Sequence, residues 1–168
     1  MLKGRLGTDR PHVFKFYGSY SFPWGTEVGG FFSASSGTPV STIAMSEHWS
    51  EIFVEGRGDL GRTDALSQTD LIVAHEFNVA EGKKLRFEFN MINLFNQKTP
   101  RYKYIYRNFY RRDGALMDLS EVDLRKGYDY KERLRATDLG EKALDPRFGK
   151  DDLFNDGFAG RFGIKFTF

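Results

Sequence analysis

From Phe158 to the last residue, Phe168, apolar and polar positions alternate without a break. Phe158, Gly160, Phe162, Ile164, Phe166 and Phe168 fall on one side, and Ala159, Arg161, Gly163, Lys165 and Thr167 on the other. A strict period of two is the signature of a strand with one apolar and one polar face. The same alternation recurs near residues 12–22, where Phe14, Phe16, Gly18, Tyr20 and Phe22 oppose Lys15, Tyr17, Ser19 and Ser21. Near 68–79 it places Leu71, Val73, His75 and Phe77 together. Near 84–95 it sets Leu85, Phe87, Phe89 and Met91 against Arg86, Glu88 and Asn90. A fifth strand is expected near 26–35, but its second face is mixed: Glu27, Gly29, Phe31 and Ser33.

The intervals between these strands are unequal. Pro23-Trp24-Gly25 and Ala80–Lys83 are tight turns, rich in the residues that turns need. The other two connections, 37–66 and 97–156, are long, charged and non-alternating. Within the second, Arg101–Arg112 reads as a strand extension, the stretch around Leu119–Leu144 as a short amphipathic helix, and Asp145–Gly157 as turn chemistry. The predicted layout is hairpin, long loop, hairpin, longer loop, final strand, with short turns at one end and long loops at the other. That asymmetry is characteristic of transmembrane β-barrels. The expected fold is therefore all-β: an antiparallel transmembrane β-barrel fragment of about five strands in an open curved sheet with long extracellular loops.

Composition narrows the alternatives. Aromatic residues make up 16% of the 168 positions, which favours β structure. The net charge of +2 argues neither for nor against an anionic partner. Cysteine is absent, so thiolate metal sites and cysteine nucleophiles are excluded. No apolar run reaches the roughly 18 residues of a membrane helix, and the N-terminus has no apolar core of signal-peptide length. A strand of about ten tilted residues can still cross a bilayer.

Two groups of residues carry a family resemblance. Asp70-Leu71 opens one strand of the second hairpin, and Asn93-Leu94-Phe95-Asn96 closes the other. Together with Ser36–Pro39 before this hairpin and the aromatic-ended strand after it, these residues resemble the last part of TonB-dependent outer-membrane receptors. The long-loop form is similar to the branch whose N-terminal region carries a carboxypeptidase-regulatory-like domain. The resemblance implies a nutrient importer of the Gram-negative outer membrane, not an enzyme, with no cofactor. Its implied partners are outer-membrane lipid, the barrel-assembly machinery, the rest of the receptor barrel and plug, and TonB through a missing N-terminal part. It also implies that Phe158, Phe162, Ile164, Phe166 and Phe168 form the assembly signal, read by strand addition at an open sheet edge. Such receptors have a plug and about 22 strands, so this chain is expected to be a C-terminal piece, inactive alone. The rival expectations are another outer-membrane barrel such as a porin, and a soluble β-sandwich binding module.

Other motifs carry less. Gly56–Gly61 matches a dinucleotide-binding spacing, but no helix is expected to open there, and Arg57-Gly58-Asp59 is a short match that chance supplies. His12, His48 and His75 have no metal-ligand spacing. Asp151–Gly157 lacks the alternation and terminal Glu of a calcium loop. Arg101–Arg112 interleaves aromatics with basic residues, as a single-strand nucleic-acid groove does, yet an interfacial aromatic girdle is the favoured reading and no nucleic acid is expected.

Overall fold

A computed structural model describes residues 4–112, 114–120 and 126–168. Among these, nine strands are formed: β1 (Val13–Ser21), β2 (Thr26–Ser35), β3 (Ile43–Met45), β4 (Glu51–Phe53), β5 (Leu66–Ala80), β6 (Lys83–Ile92), β7 (Pro100–Lys103), β8 (Asp151–Phe154) and β9 (Ala159–Thr167). One short helix, α1 (Tyr130–Arg135), and a single 3-10 turn, Gly140–Ala143, are the helical elements. The chain divides into two compact units. The sheet unit comprises residues 10–37, 64–100 and 154–168, and the loop unit residues 1–9, 38–63 and 101–153.

The sheet unit is an open antiparallel sheet in the order β1-β2-β5-β6-β9. Its register shows why the alternation matters. Phe16 pairs with Phe32, Tyr20 with Val28, Val28 with Val73, Val73 with Phe89, and Phe89 with Phe162. Every apolar row of one strand thus continues in the next, and one face becomes a single apolar surface. A one-residue slip anywhere would interleave this surface with Lys15, Arg86 or Arg161. The two tight turns close one end. In the first, Gly25 has φ 89°, and its carbonyl accepts from the Glu76 amide at 2.9 Å. A Cβ at Gly25 would stand 2.6 Å from the Glu76 carbonyl oxygen, so only glycine fits. In the second, Gly82 has φ 70°, and a bulge separates Asn78 from Ala80. Both long connections leave and re-enter at the other end, where Ser35 pairs with Leu66 and Ile92 with Ala159.

The loop unit is built differently. Ala44, Met117, Tyr130 and Leu134 are buried together, and Ile52, Val54, Leu119, Tyr128 and Leu144 pack around them. α1 starts where the Asp129 carboxylate accepts from the amide of Lys131 at 2.8 Å, a side-chain N-cap. It buries Tyr130 and Leu134, four residues apart and so on one side of the helix. Asn108 is fully buried and stands in for a strand neighbour. Its Oδ1 accepts from the Met45 amide at 2.9 Å, and its Nδ2 donates to the carbonyls of Met45 at 3.0 Å and Ala115 at 2.7 Å.

Three expectations for the long connections change. Strand structure in 101–112 stops at Lys103, because Tyr106 and Asn108 turn to bridge Ile43 and Leu144. Residues 151–154, read as turn, form β8 and pair with β7. Among the described residues the α-helix expected around 119–144 spans only Tyr130–Arg135; residues 121–125 lie outside the described residues.

Candidate functional site

The two faces of the five-stranded sheet present opposite chemistry. On the apolar face the aromatics touch across strands: Phe14 and Phe32 at 6.1 Å between ring centres, Phe77 and Phe87 at 5.9 Å, Phe87 and Phe162 at 6.0 Å. These side chains are nevertheless open. Phe16 is 66% exposed, Phe162 65% and Ile164 62%. A soluble monomer rarely leaves a contiguous apolar patch above a few hundred Å² uncovered, and in a sandwich core the same residues would be buried. At the turn end, Phe22 lies between Tyr20 at 4.8 Å and Trp24 at 4.4 Å. His75 sits on this face as the alternation requires. Its Nδ1 is 2.8 Å from the Thr26 hydroxyl, and its ring packs on Phe77, so its polar edge has a partner.

The opposite face is polar and ion-paired. Arg86 on β6 reaches across β5 to Glu27 on β2 at 2.7 Å, and also lies 3.8 Å from Glu88. The contact is diagonal: Glu27 is in register with the small Ala74 on β5, whose partner on β6 is Glu88, whereas Arg86 is in register with Glu76. Lys84 pairs with Glu76 at 2.8 Å. Glu88 lies over Gly163, where a Cβ would come within 2.8 Å of its Cγ. Further along, an open hollow of about 740 Å³ is lined by Tyr17, Phe31, Asp70, Ile72, Asn90 and Arg161 among others. Gly18, Gly29 and Gly30 form part of its floor. The mixed face of β2 has its explanation here: Phe31 borders this hollow, whereas Phe32 belongs to the apolar surface.

The residues that carry the family resemblance meet at the open end of the sheet. Asn93 is 1% exposed, with φ 50°. Its amide donates to the Asp70 carboxylate at 2.8 Å. Its side-chain oxygen accepts from the Gln97 amide at 2.8 Å, and its Nδ2 donates to the carbonyls of Gln97 at 3.1 Å and Asp156 at 2.7 Å. Asn96, also at φ 50°, accepts from the Phe158 amide at 3.1 Å. The Leu94 amide donates to the Thr69 carbonyl at 2.7 Å. Asn tolerates the left-handed region better than other side chains and can bond the turn it creates. The result is a clamp that ties the exit of β6 to the start of β5 and to the approach of β9. Leu71 lies in the apolar row with Met91, and Phe95 is 69% exposed beside the clamp. Sequence reasoning singled out Asp70, Leu71, Asn93, Leu94, Phe95 and Asn96 but not what joins them; the signal was the spacing of two asparagines around a turn.

β9 is an edge strand, paired with β6 alone among the described residues. Phe158, Phe162, Ile164, Phe166 and Phe168 are all exposed, and Phe166 and Phe168 stack at 5.9 Å. The backbone groups on the outer side of β9, and on the outer side of β1, are left for a further strand.

The remaining motifs resolve structurally. Gly56–Gly61 opens no helix; the Asp59 carboxylate accepts from the amide and hydroxyl of Thr42 at 2.8 and 2.6 Å, and Arg57 stacks on Phe53. The Arg57-Gly58-Asp59 tripeptide is thus tied down by its own unit. Tyr104, Tyr106 and Tyr110 contact one another in series, at 5.9 and 4.6 Å, inside the loop unit. Burial, then a hydrogen bond to Glu51, pushes the Tyr106 hydroxyl up to about 12. Burial, then the neighbouring Asp145, does the same for Tyr104. No group of His, Asp and Glu among the described residues is arranged to hold a metal ion.

Comparison with known proteins agrees with the resemblance at a coarse level. Over 101 residues the chain is 32% identical to the TonB-dependent transporter Oar of Myxococcus xanthus. That match covers 55% of this chain and 9% of the transporter, so the chain corresponds to a small part of the relative's length. No family model matches the chain, and no solved structure matches it significantly. No helix among the described residues is long and apolar enough to cross a membrane, which leaves crossing by strands open.

Proposed function

We propose that this chain is part of the barrel wall of a TonB-dependent outer-membrane transporter for nutrient uptake. The observation that carries the reading is the sheet with one continuous exposed apolar face and one ion-paired face. An apolar outer face meets lipid, and a polar inner face lines a lumen. Similarity to a TonB-dependent transporter supports the same assignment over the porin alternative. In this reading β1, β2, β5, β6 and β9 cross the membrane, the long connections 37–66 and 97–156 are extracellular, and the turns at Gly25 and Gly82 lie in the periplasm. The open edges of β1 and β9 pair with the remaining barrel strands, the plug fills the lumen, and TonB acts through the missing part. The chain performs no catalysis, and alone it transports nothing, because lipid does not tolerate an open sheet edge.

Topology tests this directly. The chain has no cysteine, so single replacements report cleanly once any cysteine elsewhere in the receptor is replaced by serine. Ser50→Cys, in the loop unit, should react with a membrane-impermeant maleimide on intact Gram-negative cells making the full receptor. Glu81→Cys, in the periplasmic turn, should react only after the outer membrane is permeabilised. Equal labelling of both on intact cells would refute the arrangement. Within the same reading, Phe158, Phe162, Ile164, Phe166 and Phe168 form the pattern read by the barrel-assembly machinery. Deleting Phe168 should then lower outer-membrane abundance sharply while leaving folding in detergent nearly unchanged. Wild-type abundance would reduce Phe168 to one more lipid-facing residue.

A further inference from the structure

The loop unit contains a second site whose chemistry the barrel reading does not use. A hollow of about 380 Å³ is lined by Phe109, Tyr110, Arg111, Arg112 and Arg147. Each guanidinium is held against a ring. Arg111 lies 5.2 Å over Tyr110, Arg112 5.3 Å over Phe109, and Arg147 4.3 Å over Tyr104. Stacking of this kind fixes the plane of a guanidinium and leaves its N–H edge as the group presented to a ligand.

Charge balance gives the hollow its sign. Arg147 donates through Nε and Nη2 to Asp145, whose side chain is fully buried, and through Nη2 to the Tyr104 hydroxyl at 2.8 Å. That pair is neutral, and Nη1 of Arg147 has no partner among the described residues. Arg111 and Arg112 have no carboxylate partner among the described residues, and both are exposed. Asp113, next in sequence, lies outside the described residues. Among the described residues, two cationic forks therefore line one hollow with no carboxylate set against them, and a third donor stands beside them.

The rings do not offer themselves as a base-stacking platform. Tyr110 is covered by Arg111 and by Tyr106 at 4.6 Å, and Phe109 by Arg112 and by Arg147 at 6.0 Å. A nucleobase would have to displace a cation to reach a ring face, whereas an oxyanion meets the cations where they already stand. We propose that Arg111, Arg112 and Arg147 form a binding site for a phosphate dianion, as carried by a phosphomonoester or a pyrophosphate. Planar arginine forks match the spacing of phosphate oxygens and bind them with paired, charge-assisted hydrogen bonds. The phosphate belongs either to a soluble ligand or to a lipid headgroup.

The test is calorimetric titration of the full chain, in detergent micelles, with pyrophosphate as probe; if the chain proves soluble, the same titration runs in buffer, so this site and the membrane reading fail separately. Pyrophosphate should bind, and more weakly as salt rises. The double variant Arg111→Gln/Arg112→Gln should lose at least about tenfold in affinity. Its side chains are exposed, and an unchanged melting profile confirms that its fold is kept. Arg135→Gln, which removes an exposed cation paired with Glu141 in the same unit, should bind as wild type. Micelles doped with a lipid phosphomonoester should compete if the source is lipid; failure to compete assigns a soluble ligand, and either result requires that pyrophosphate bind. The proposal is overturned if pyrophosphate does not bind, if the double variant binds within about twofold of wild type, or if Arg135→Gln loses as much. It is also overturned if a single-stranded oligonucleotide lacking a terminal phosphate binds more tightly than pyrophosphate.

Discussion

The sheet unit and the loop unit spend their apolar residues in opposite ways. In the loop unit Met117 and Leu134 are completely buried, and hydrogen bonds from Asn108 satisfy the backbone around them. That is how a chain folds for water: small apolar groups converge from distant segments, and polar groups close the gaps. In the sheet unit Phe14, Phe16, Phe162, Ile164 and Phe166 are half or more exposed, while Arg86, Glu27, Lys84 and Glu76 pair on the other side. Nothing in the hydrophobic effect holds such a face open in water. The two units thus place their apolar residues in opposite surroundings, buried in residues 38–63 and 101–153 and exposed in residues 10–37, 64–100 and 154–168.

The largest expected effect follows from that contrast. Without detergent the chain should aggregate, and with detergent it should be monodisperse by light scattering. A folded monomer in plain buffer would erase the distinction between the two units. Next, Phe89→Arg should cost roughly 2–4 kcal/mol of folding stability in lipid vesicles if the site lies near the midplane. Glu88→Gln, one position away on the polar face, should cost no more than about 1 kcal/mol, because its ion pair with Arg86 is long and partly exposed. Equal costs would mean that the faces are wrongly assigned. Asn93→Ala should cost about 1–3 kcal/mol, leaving the carbonyls of Gln97 and Asp156 and the Gln97 amide without their partner. Asn93→Gly keeps the left-handed backbone and should lose less. Chemical denaturation in vesicles ranks the two, and the reverse order would mean that the left-handed backbone at residue 93 contributes little.

The smallest effect is confined to the loop unit and sharpens its independence. Burial alone would raise the Asp145 carboxyl, but hydrogen bonds from the Arg147 side chain and amide outweigh it and hold it below the usual carboxylate value. A depressed pKa contributes stability above the unfolded value, near pH 4, and that contribution is lost as pH falls through the folded one. Tyr104 and Tyr106, pushed up to about 12, act in the other direction. Their contribution is complete below about pH 10 and is lost as pH rises toward 12. The near-ultraviolet tyrosine signal of the loop unit should therefore change below pH 4 and above pH 10. Asp145→Asn should remove the acid limb and, because Asp145 also helps raise Tyr104, move the Tyr104 part of the alkaline limb to lower pH. An unchanged acid limb in that variant would assign it to other carboxylates.

What the sequence showed differs between the units for a physical reason. A strand repeats every two residues, so Phe87-Glu88-Phe89 announces its faces without knowledge of its neighbours. The one ambiguous strand, β2, was ambiguous because Phe31 borders a hollow that exists only once β5, β6 and β9 stand beside it. The loop unit has no period to read. Its core joins Ala44 to Met117 and Leu134 through isolated bridges such as Ile43 with Tyr106 and Ser46 with Met117. Those pairings join segments more than 60 residues apart, which no local pattern announces. The Asn93 clamp lies between these cases: its residues stand out by type and spacing, while its partner Asp156 is 63 positions away.

The central claim is that one face of the sheet meets lipid, and β6 offers the most direct measurement. Single cysteines placed at successive positions from Leu85 to Ile92, each carrying an environment-sensitive fluorophore, can be reconstituted in vesicles of brominated lipid. Quenching should alternate with period two, high at Leu85, Phe87, Phe89 and Met91 and low at Arg86, Glu88, Asn90 and Ile92. Quenching that is uniform along the strand, or highest at the charged positions, would contradict the account.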